Sequence, residues 1–301
     1  MKNNLSDQRL ILEFDNLNLN KLGCIYDNIM IRSPLRFPGS KFQAIKFIQP
    51  IWESVEHDEF REPFFGGGAV FFAKPKVKYN WINDLSQDLI NTFIVIADAN
   101  KREVLKNKLS KEKLPTKERH SELKEWSPKN QLEKAFRYYY LNRTSYSGIM
   151  KQPAWGFHPT KSVHPNKWSE RIEVAGKKLK DTQITNLDFE EVIKSPAKGK
   201  KVLMFVDPPY YKADQKRAYE HSFREEEHLR VVNALKNTTH SFILTYDDCP
   251  EIKKLYSWAN IYPVSWRYHT ANSNKATRKM GQELIITNFK LDSRTIKKLK
   301  I

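Results

Sequence analysis

Apolar runs that stop abruptly at polar residues are the main pattern of this chain. Residues 202–206 read Val-Leu-Met-Phe-Val, a run typical of a central parallel strand buried on both faces, and they end at Asp207. The pair Trp81-Ile82, which ends at Asn83-Asp84, predicts a second buried strand, and residues 241–245 predict a third. Helices are expected near residues 225–236 and 252–258, with further strands near 262–266 and 283–287. This alternation predicts an α/β fold with a doubly wound sheet.

The middle of the chain departs from this alternation. From about residue 101 to residue 180, charge-rich helical segments lead into the aromatic run 138–140 and then into a loop rich in proline and glycine. This change predicts an inserted, mainly helical second domain. The basic stretch from Arg294 to Lys300 is expected to be frayed. The predicted organisation is an N-terminal extension over 1–31, an α/β domain over 32–100 and 181–290, the insert over 101–180 and a basic tail over 291–301.

Composition adds a strong positive charge to this picture. The 301 residues include 52 Lys and Arg against 35 Asp and Glu, a formal net charge of +17, and 40% are hydrophobic, which is enough for a sizeable core. Polyanions are the natural partners of such a chain, although a generic basic surface would have the same composition. The motifs must therefore decide between these interpretations.

Cysteine content and hydropathy exclude several classes of protein. The two cysteines, Cys24 and Cys249, are far apart and belong to no Cys/His cluster, so neither a disulfide framework nor a metal site is expected. No apolar stretch reaches the roughly 18 residues of a membrane span. The polar start at residues 1–4 lacks the apolar core of a secretory signal. A cytoplasmic protein without a membrane partner is therefore expected.

The most informative motif is Asp207-Pro208-Pro209-Tyr210, directly after the apolar run. Open α/β sheets bind their ligands beyond the carboxyl ends of the strands, and two prolines fix the backbone while removing two donors. A carboxylate and a carbonyl remain, which can accept hydrogen bonds from both hydrogens of an aromatic amine such as that of adenine, while Tyr210 stacks on its ring. The alternative is a Pro-Pro turn capped by an aspartate.

Two weaker motifs precede it. Residues 62–69 carry Gly66, Gly67 and Gly68, where backbone can approach a ligand closely, but they match neither the dinucleotide fingerprint nor a P-loop. A glycine turn without a phosphate signature suits an adenosyl ligand, although it is equally compatible with a purely structural turn. Asp84 lies 16 residues beyond Gly68 at the end of a predicted strand, where its carboxylate can accept from ribose hydroxyls or cap the next helix.

The order of these motifs resembles the Dam-like family of DNA adenine-N6 methyltransferases, the alpha class with the Asp-Pro-Pro-Tyr tetrapeptide. The resemblance rests on residues 36–41, residues 62–68, Asn83-Asp84 and the tetrapeptide, and it covers about residues 32 to 289. Ser40 departs from the family pattern, since many members carry another glycine there, and Tyr211 follows the tetrapeptide at a position that the family varies. A serine adds only a small side chain and should be tolerated.

The resemblance implies a Rossmann-like methyltransferase sheet, S-adenosyl-L-methionine as the cofactor and double-stranded DNA as the substrate. The α/β domain is then the catalytic domain and the insert the target-recognition domain. The catalytic residues it implies are Asp207, Pro208, Pro209 and Tyr210. The residues it implies for cofactor binding are Phe37, Lys41, Phe64, Gly66, Gly68, Asp84, Asp188, Phe189 and Asp207, of which Asp188 and Phe189 contact the cofactor's adenine.

The insert supplies candidate DNA contacts. Residues 141–148 combine a guanidinium, an amide, hydroxyls and an aromatic ring, which can read base edges or wedge between bases, although a solvated helix end would look the same. GATC-modifying members carry a different set here, which leaves the target sequence open. The candidate DNA-binding residues are Arg137, Asn142, Arg143, Ser145, Tyr146, Lys151, Asn274, Lys275, Arg278 and Lys279.

The interpretation that combines these observations is a site-specific adenine-N6 DNA methyltransferase that flips its target base out of the duplex. A restriction-modification system, with a cognate restriction endonuclease as a further partner, is the expected context. Methylation of RNA or of a protein glutamine is an alternative, because related tetrapeptides serve those substrates. A catalytically silent DNA-binding regulator is an alternative from another class.

Overall fold

A seven-stranded sheet forms the centre of the computed structural model, which describes residues 30–212, 223–267 and 280–299. In chain order the strands are β1 (Glu59–Glu62), β2 (Tyr79–Asn83), β3 (Gln183–Thr185), β4 (Val202–Val206), β5 (Ser241–Asp247), β6 (Asn260–Arg267) and β7 (Met280–Thr287). Their order across the sheet is β3-β2-β1-β4-β5-β7-β6. The first five are parallel, and β7 is antiparallel to both β5 and β6. The predicted α/β class with a doubly wound sheet is confirmed.

Helices connect and cover the strands. They are α1 (Ile45–Ser54), α2 (Ala69–Ala73), α3 (Gln87–Ala97), α4 (Ala99–Ser110), α5 (Lys117–Glu125), α6 (Gln131–Thr144), α7 (Trp168–Leu179), α8 (Phe189–Lys194), α9 (Glu225–Lys236), α10 (Pro250–Leu255) and α11 (Ser293–Leu299). Short 3₁₀ turns lie at Lys41–Ala44, Tyr146–Gly148 and Pro165–Lys167. Within the described ranges, no helix combines the length and apolar content needed to cross a bilayer.

Alternating residues of the central strands build two separate cores. In β4, Leu203 and Phe205 face one core, whereas Val202, Met204 and Val206 face the other. Helices α1 to α7 contribute to the first core, and α8, α9 and α10 contribute to the second. Because successive side chains of a strand point to opposite faces, β4 is apolar at every position and buried throughout, as the sequence predicted.

The helices of the central segment share the first core with the sheet. Leu105, Tyr139, Trp168 and Val174 lie in the same apolar cluster as Phe60 of β1. Helix α6 packs against α3, and α7 packs against α3 and α4. This segment therefore has no described core of its own, and its division from the α/β domain at residues 101–180 stays a prediction.

The basic tail is ordered where it is described, contrary to the expectation that it frays. Helix α11 packs against α1, and its Thr295 and Leu299 are buried. Leu291 and Leu299 both join the first core. Burial of these two leucines holds α11 against the core, while the neighbouring lysines face solvent.

Candidate functional site

A cavity of about 550 Å³ opens at the carboxyl ends of β1, β2 and β4. The sheet reverses its winding between β1 and β4, and such switch points leave a crevice in which α/β proteins bind ligands. Three sequence motifs meet in this cavity: the glycine turn after β1, Asp84 after β2 and Asp207 after β4. Every residue predicted to bind the cofactor lines it: Phe37, Lys41, Phe64, Gly66, Gly68, Asp84, Asp188, Phe189 and Asp207.

The glycine turn needs two of its glycines for their backbone angles and one for space. Gly66 and Gly68 have φ values of 48° and 67°, in the left-handed region that side chains disfavour. A Cβ atom on Gly67 would lie 2.8 Å from the Cβ of Phe37, which packs across the turn. The turn can therefore present its backbone to a ligand at close range.

Asp84 connects this turn to the start of α3. Its Oδ2 accepts a hydrogen bond from the Gly66 N–H at 2.8 Å, and its Oδ1 accepts from the Ser86 N–H at 2.9 Å. Ser86, not Asp84, occupies the N-cap position of α3. The carboxylate lines the cavity and ties the glycine turn to the residue that precedes α3.

The Asp207 carboxylate is held from both sides. The Lys41 Nζ lies 2.9 Å from Oδ2, and the Thr245 hydroxyl donates to Oδ1 at 2.6 Å. Lys41 is buried, also donates to the Gly39 carbonyl and lies 4.7 Å from the centre of the Tyr210 ring. Thr245 is fully buried on β5, next to the end of β4. These two contacts leave the carboxylate few orientations.

Groups on neighbouring strands fix Tyr210 and the two residues that follow the tetrapeptide. The Tyr210 hydroxyl donates to Glu283 Oε2 on β7, and Glu283 is fully buried. The Asp247 carboxylate accepts from the backbone N–H groups of Tyr211 and Lys212 at 3.0 and 2.8 Å. Pro209 lines the cavity, whereas Pro208 is buried beside it.

A second carboxyl group, that of Glu62, lines the cavity. Glu62 ends β1 and is 1% exposed, and burial raises its pKa well above the ordinary value, with a further rise from the charge of Asp207. Its Oε1 has no hydrogen-bond partner among the described residues. The cavity therefore contains an ionisable side chain for which the sequence suggested no role.

The opposite end of the cavity is an aromatic slot. The rings of Phe64 and Phe189 stack with centroids 5.0 Å apart, and Phe223 meets Phe64 edge-on at 5.8 Å. Asp188 caps α8 by accepting from the Glu190 N–H at 2.9 Å. This arrangement suits a flat aromatic ligand.

The structure contradicts three of the predicted DNA contacts, because the end of α6 turns inward. Asn142 is fully buried, its Oδ1 accepts from the Arg36 N–H, and its Nδ2 donates to the carbonyls of Arg36 and Gly148. Arg143 is 5% exposed, and burial lowers its pKa to about 10. Ser145 is fully buried. In this conformation none of these side chains can reach a base edge.

Arg137 also has a structural contact that the sequence did not reveal. Its Nε and Nη2 donate to the carbonyls of Leu123 and Lys124, which end α5. Two of its donors are thus engaged at a helix terminus, and a phosphate contact for Arg137 stays a prediction.

The remaining predicted DNA contacts divide into exposed residues and residues that the structure leaves undescribed. Tyr146 is 50% exposed, and Lys151 is exposed at the edge of the cavity. Both stay predicted DNA contacts. The predicted residues Asn274, Lys275, Arg278 and Lys279 lie outside the described residues. In the described part of the chain, no group of three or more metal-ligating side chains is found.

Comparisons with known proteins agree on one family. Residues 37–270 match the family described as D12 class N6 adenine-specific DNA methyltransferase. The chain is 26% identical to the type II methyltransferase M.CviBI of Paramecium bursaria Chlorella virus NC1A over 264 residues, which cover 85% of this chain and 98% of that protein. It is 25% identical to the type II methyltransferase M1.LlaDCHI of Lactococcus lactis subsp. cremoris over 286 residues, 87% of this chain and 97% of that protein.

Proposed function

The chain belongs to the D12 class of N6 adenine-specific DNA methyltransferases, and we propose that it transfers a methyl group from S-adenosylmethionine to an adenine flipped out of duplex DNA. The observation that carries this proposal is the position of Asp207, which shares one cavity with Gly66 and Asp84. A methyl acceptor bound at Asp207 and a methyl donor bound along the glycine turn would lie side by side.

The residues of the cavity fit the chemical groups of this cofactor. The Asp84 carboxylate suits ribose hydroxyls, and the stacked pair Phe64 and Phe189 suits the adenine ring. Phe37 lies across the glycine turn and would cover the ligand. When bound, S-adenosylmethionine supplies an electrophilic methyl group on a sulfonium centre.

Asp207 is the group that prepares the target amine. The lone pair of an aromatic amine is delocalised, so the nitrogen becomes nucleophilic only when acceptors hold its two hydrogens. The Asp207 carboxylate accepts one of them, and the Pro208 carbonyl accepts the other. The Thr245 hydroxyl and the Lys41 ammonium fix the carboxylate at 2.6 and 2.9 Å, which preorganises it for this task.

Tyr210 provides the stacking surface for the flipped base. The centre of its ring lies 4.7 Å from the Nζ of Lys41, a residue that lines the cavity, and its hydroxyl donates to buried Glu283, so the ring plane is fixed before the base arrives. Stacking of a base on an aromatic side chain contributes about 1–3 kcal/mol. This contribution offsets part of the cost of removing the base from the duplex.

The charge and the exposed residues beside the cavity support double-stranded DNA as the substrate. The net charge of +17 favours a polyanion. Exposed Lys151 lines the cavity, and exposed Tyr146 lies two residues before Gly148, which also lines it, so both could contact a duplex whose base has entered the cavity. Since two relatives are named type II methyltransferases, a restriction-modification system with a cognate endonuclease is the proposed context, in the cytoplasm.

The test is transfer of a labelled methyl group from S-adenosylmethionine to duplex DNA by wild type and Asp207→Ala. The variant should lose at least about a hundredfold in rate while it still binds DNA. Glu226→Ala, which removes an exposed carboxylate on α9, is the matched control and should behave as wild type. Unchanged incorporation by Asp207→Ala would refute the role of Asp207. Labelling of RNA or of a protein glutamine in place of DNA would favour the alternative substrates.

A further inference from the structure

One arginine links the two helices that border the aromatic slot. Arg230 on α9 donates from Nη2 to Asp188 Oδ1 at 2.8 Å and from Nε to Glu190 Oε1 at 2.7 Å. Its Cζ lies 4.8 Å from the centre of the Phe189 ring. Only a planar guanidinium can stack on a ring and bond two carboxylates at once. Arg230 therefore fixes both the Asp188 carboxylate and the Phe189 ring, which forms one wall of the slot.

The two oxygens of Asp188 have different surroundings. Oδ1 accepts from both the Glu190 N–H and Arg230. Oδ2 has no partner among the residues that the structure describes, and both Asp188 and Arg230 line the cavity. A ring bound against the aromatic side chains would thus meet a carboxylate oxygen that has no partner among the described residues.

From this geometry we propose that Arg230 is a specificity-determining positioning residue, which aims Asp188 Oδ2 at an amino group on the ring of the bound cofactor. The inference rests on the proposed function, which places S-adenosylmethionine in the cavity. An amino group donates a hydrogen bond to the carboxylate, whereas a carbonyl oxygen at the same position of the ring has no hydrogen to donate and is repelled by the carboxylate oxygen. The slot therefore selects adenine and rejects hypoxanthine, its deaminated counterpart.

The experiment compares binding of S-adenosylhomocysteine and S-inosylhomocysteine, which differ at that ring position, by calorimetry. Wild type should prefer the adenosyl compound by at least about tenfold, as expected for a hydrogen bond to a charged group. Arg230→Met keeps the length of the side chain but has no donors, and its preference should fall towards equal binding. Arg230→Lys should recover only part of the preference, because an ammonium cannot reproduce both bonds and the stacking.

Controls separate specificity from folding and from the proposed function. Lys236→Met changes an exposed basic residue on the same helix and should keep the wild-type preference. Asp188→Asn keeps an oxygen for the helix cap but presents an amide nitrogen to the slot, so its preference should be lost or reversed. In the double variant Asp188→Asn with Arg230→Met, the losses of ligand preference seen in the two single variants should not add, because Arg230 acts through Asp188.

The outcomes are distinct. A wild-type protein that binds neither compound would overturn the proposed function itself. A wild type that binds and discriminates, with Arg230→Met equally selective, would overturn the role of Arg230 alone. Loss of selectivity in Arg230→Met, with a free energy of unfolding close to that of wild type, supports the proposal.

Discussion

Thr245→Val removes one hydroxyl from the site while it conserves the shape of the side chain. The hydroxyl donates to Asp207 Oδ1 at 2.6 Å, and Thr245 is fully buried, so water cannot take its place. A hydrogen bond to a charged group contributes about 1.5–3 kcal/mol. Since about 1.36 kcal/mol corresponds to a tenfold change in rate, kcat should fall by about 10- to 150-fold if the bond acts in the transition state.

The assay for Thr245→Val is steady-state methyl transfer at saturating duplex DNA and varied S-adenosylmethionine. Thr245→Ser keeps the hydroxyl and should retain kcat within a few fold of wild type, which separates the hydrogen bond from packing. The KM for S-adenosylmethionine should change little, because Thr245 acts through Asp207 rather than on the cofactor. A valine variant with wild-type kcat, or a serine variant as slow as valine, would refute the reasoning.

Three further predictions concern stability. Asn142→Ala removes the partners of the backbone N–H and carbonyl of Arg36, so the free energy of unfolding in urea should drop by about 2 kcal/mol or more. A variant as stable as wild type with altered sequence specificity would instead support a base-reading role for Asn142. The folded-state pKa of Glu62 is raised, so its contribution to stability is complete below its ordinary pKa of 4.5 and is lost as pH rises. Glu62→Gln should therefore lose less stability than wild type between pH 5 and 9, and parallel unfolding curves would contradict this. Gly68→Ala should lower the free energy of unfolding by at least about 1 kcal/mol and weaken cofactor binding, because φ is 67° and the new Cβ would lie 2.3 Å from the Phe65 ring. Equal melting temperatures of variant and wild type would exclude this strain.

The apolar strands could be predicted from the sequence, but the charged one could not. Strand β4 is a continuous apolar run, β5 has the apolar residues Phe242, Ile243 and Leu244 at its centre, and the sequence predicts both strands. Strand β1 reads Glu-Phe-Arg-Glu, yet all four residues are buried. Arg61 pairs with Glu59 at 2.7 Å and donates to the carbonyls of Val192, Ser195 and Pro196, so its charge is matched inside the protein. No pattern of local hydrophobicity reveals a strand of this kind.

The site could be predicted where its residues belong to the motifs that carry the family resemblance, and not where they lie on other elements. The family resemblance is confirmed by the match over residues 37–270, and all nine residues that the resemblance implies for cofactor binding line the cavity. Thr245, Glu283 and Arg230 received no role, because their positions beside the cavity depend on the strand order and on the packing of α9. For Thr245, its place in β5 next to the tetrapeptide strand was the available signal.

The inward position of Asn142 has an identifiable cause. Polar side chains at the end of a helix resemble a binding surface, but Asn142 instead satisfies backbone groups of Arg36 and Gly148. Composition cannot distinguish a polar group that faces DNA from one that bonds the protein's own chain.

The most direct test of the central claim is long-read sequencing of DNA from a host that lacks adenine methylation of its own and expresses this protein. We predict N6-methyladenine at one recurring sequence with wild type and its absence with Asp207→Ala. DNA without methyladenine from cells that contain folded wild-type protein, or the same marks with the variant, would contradict the account.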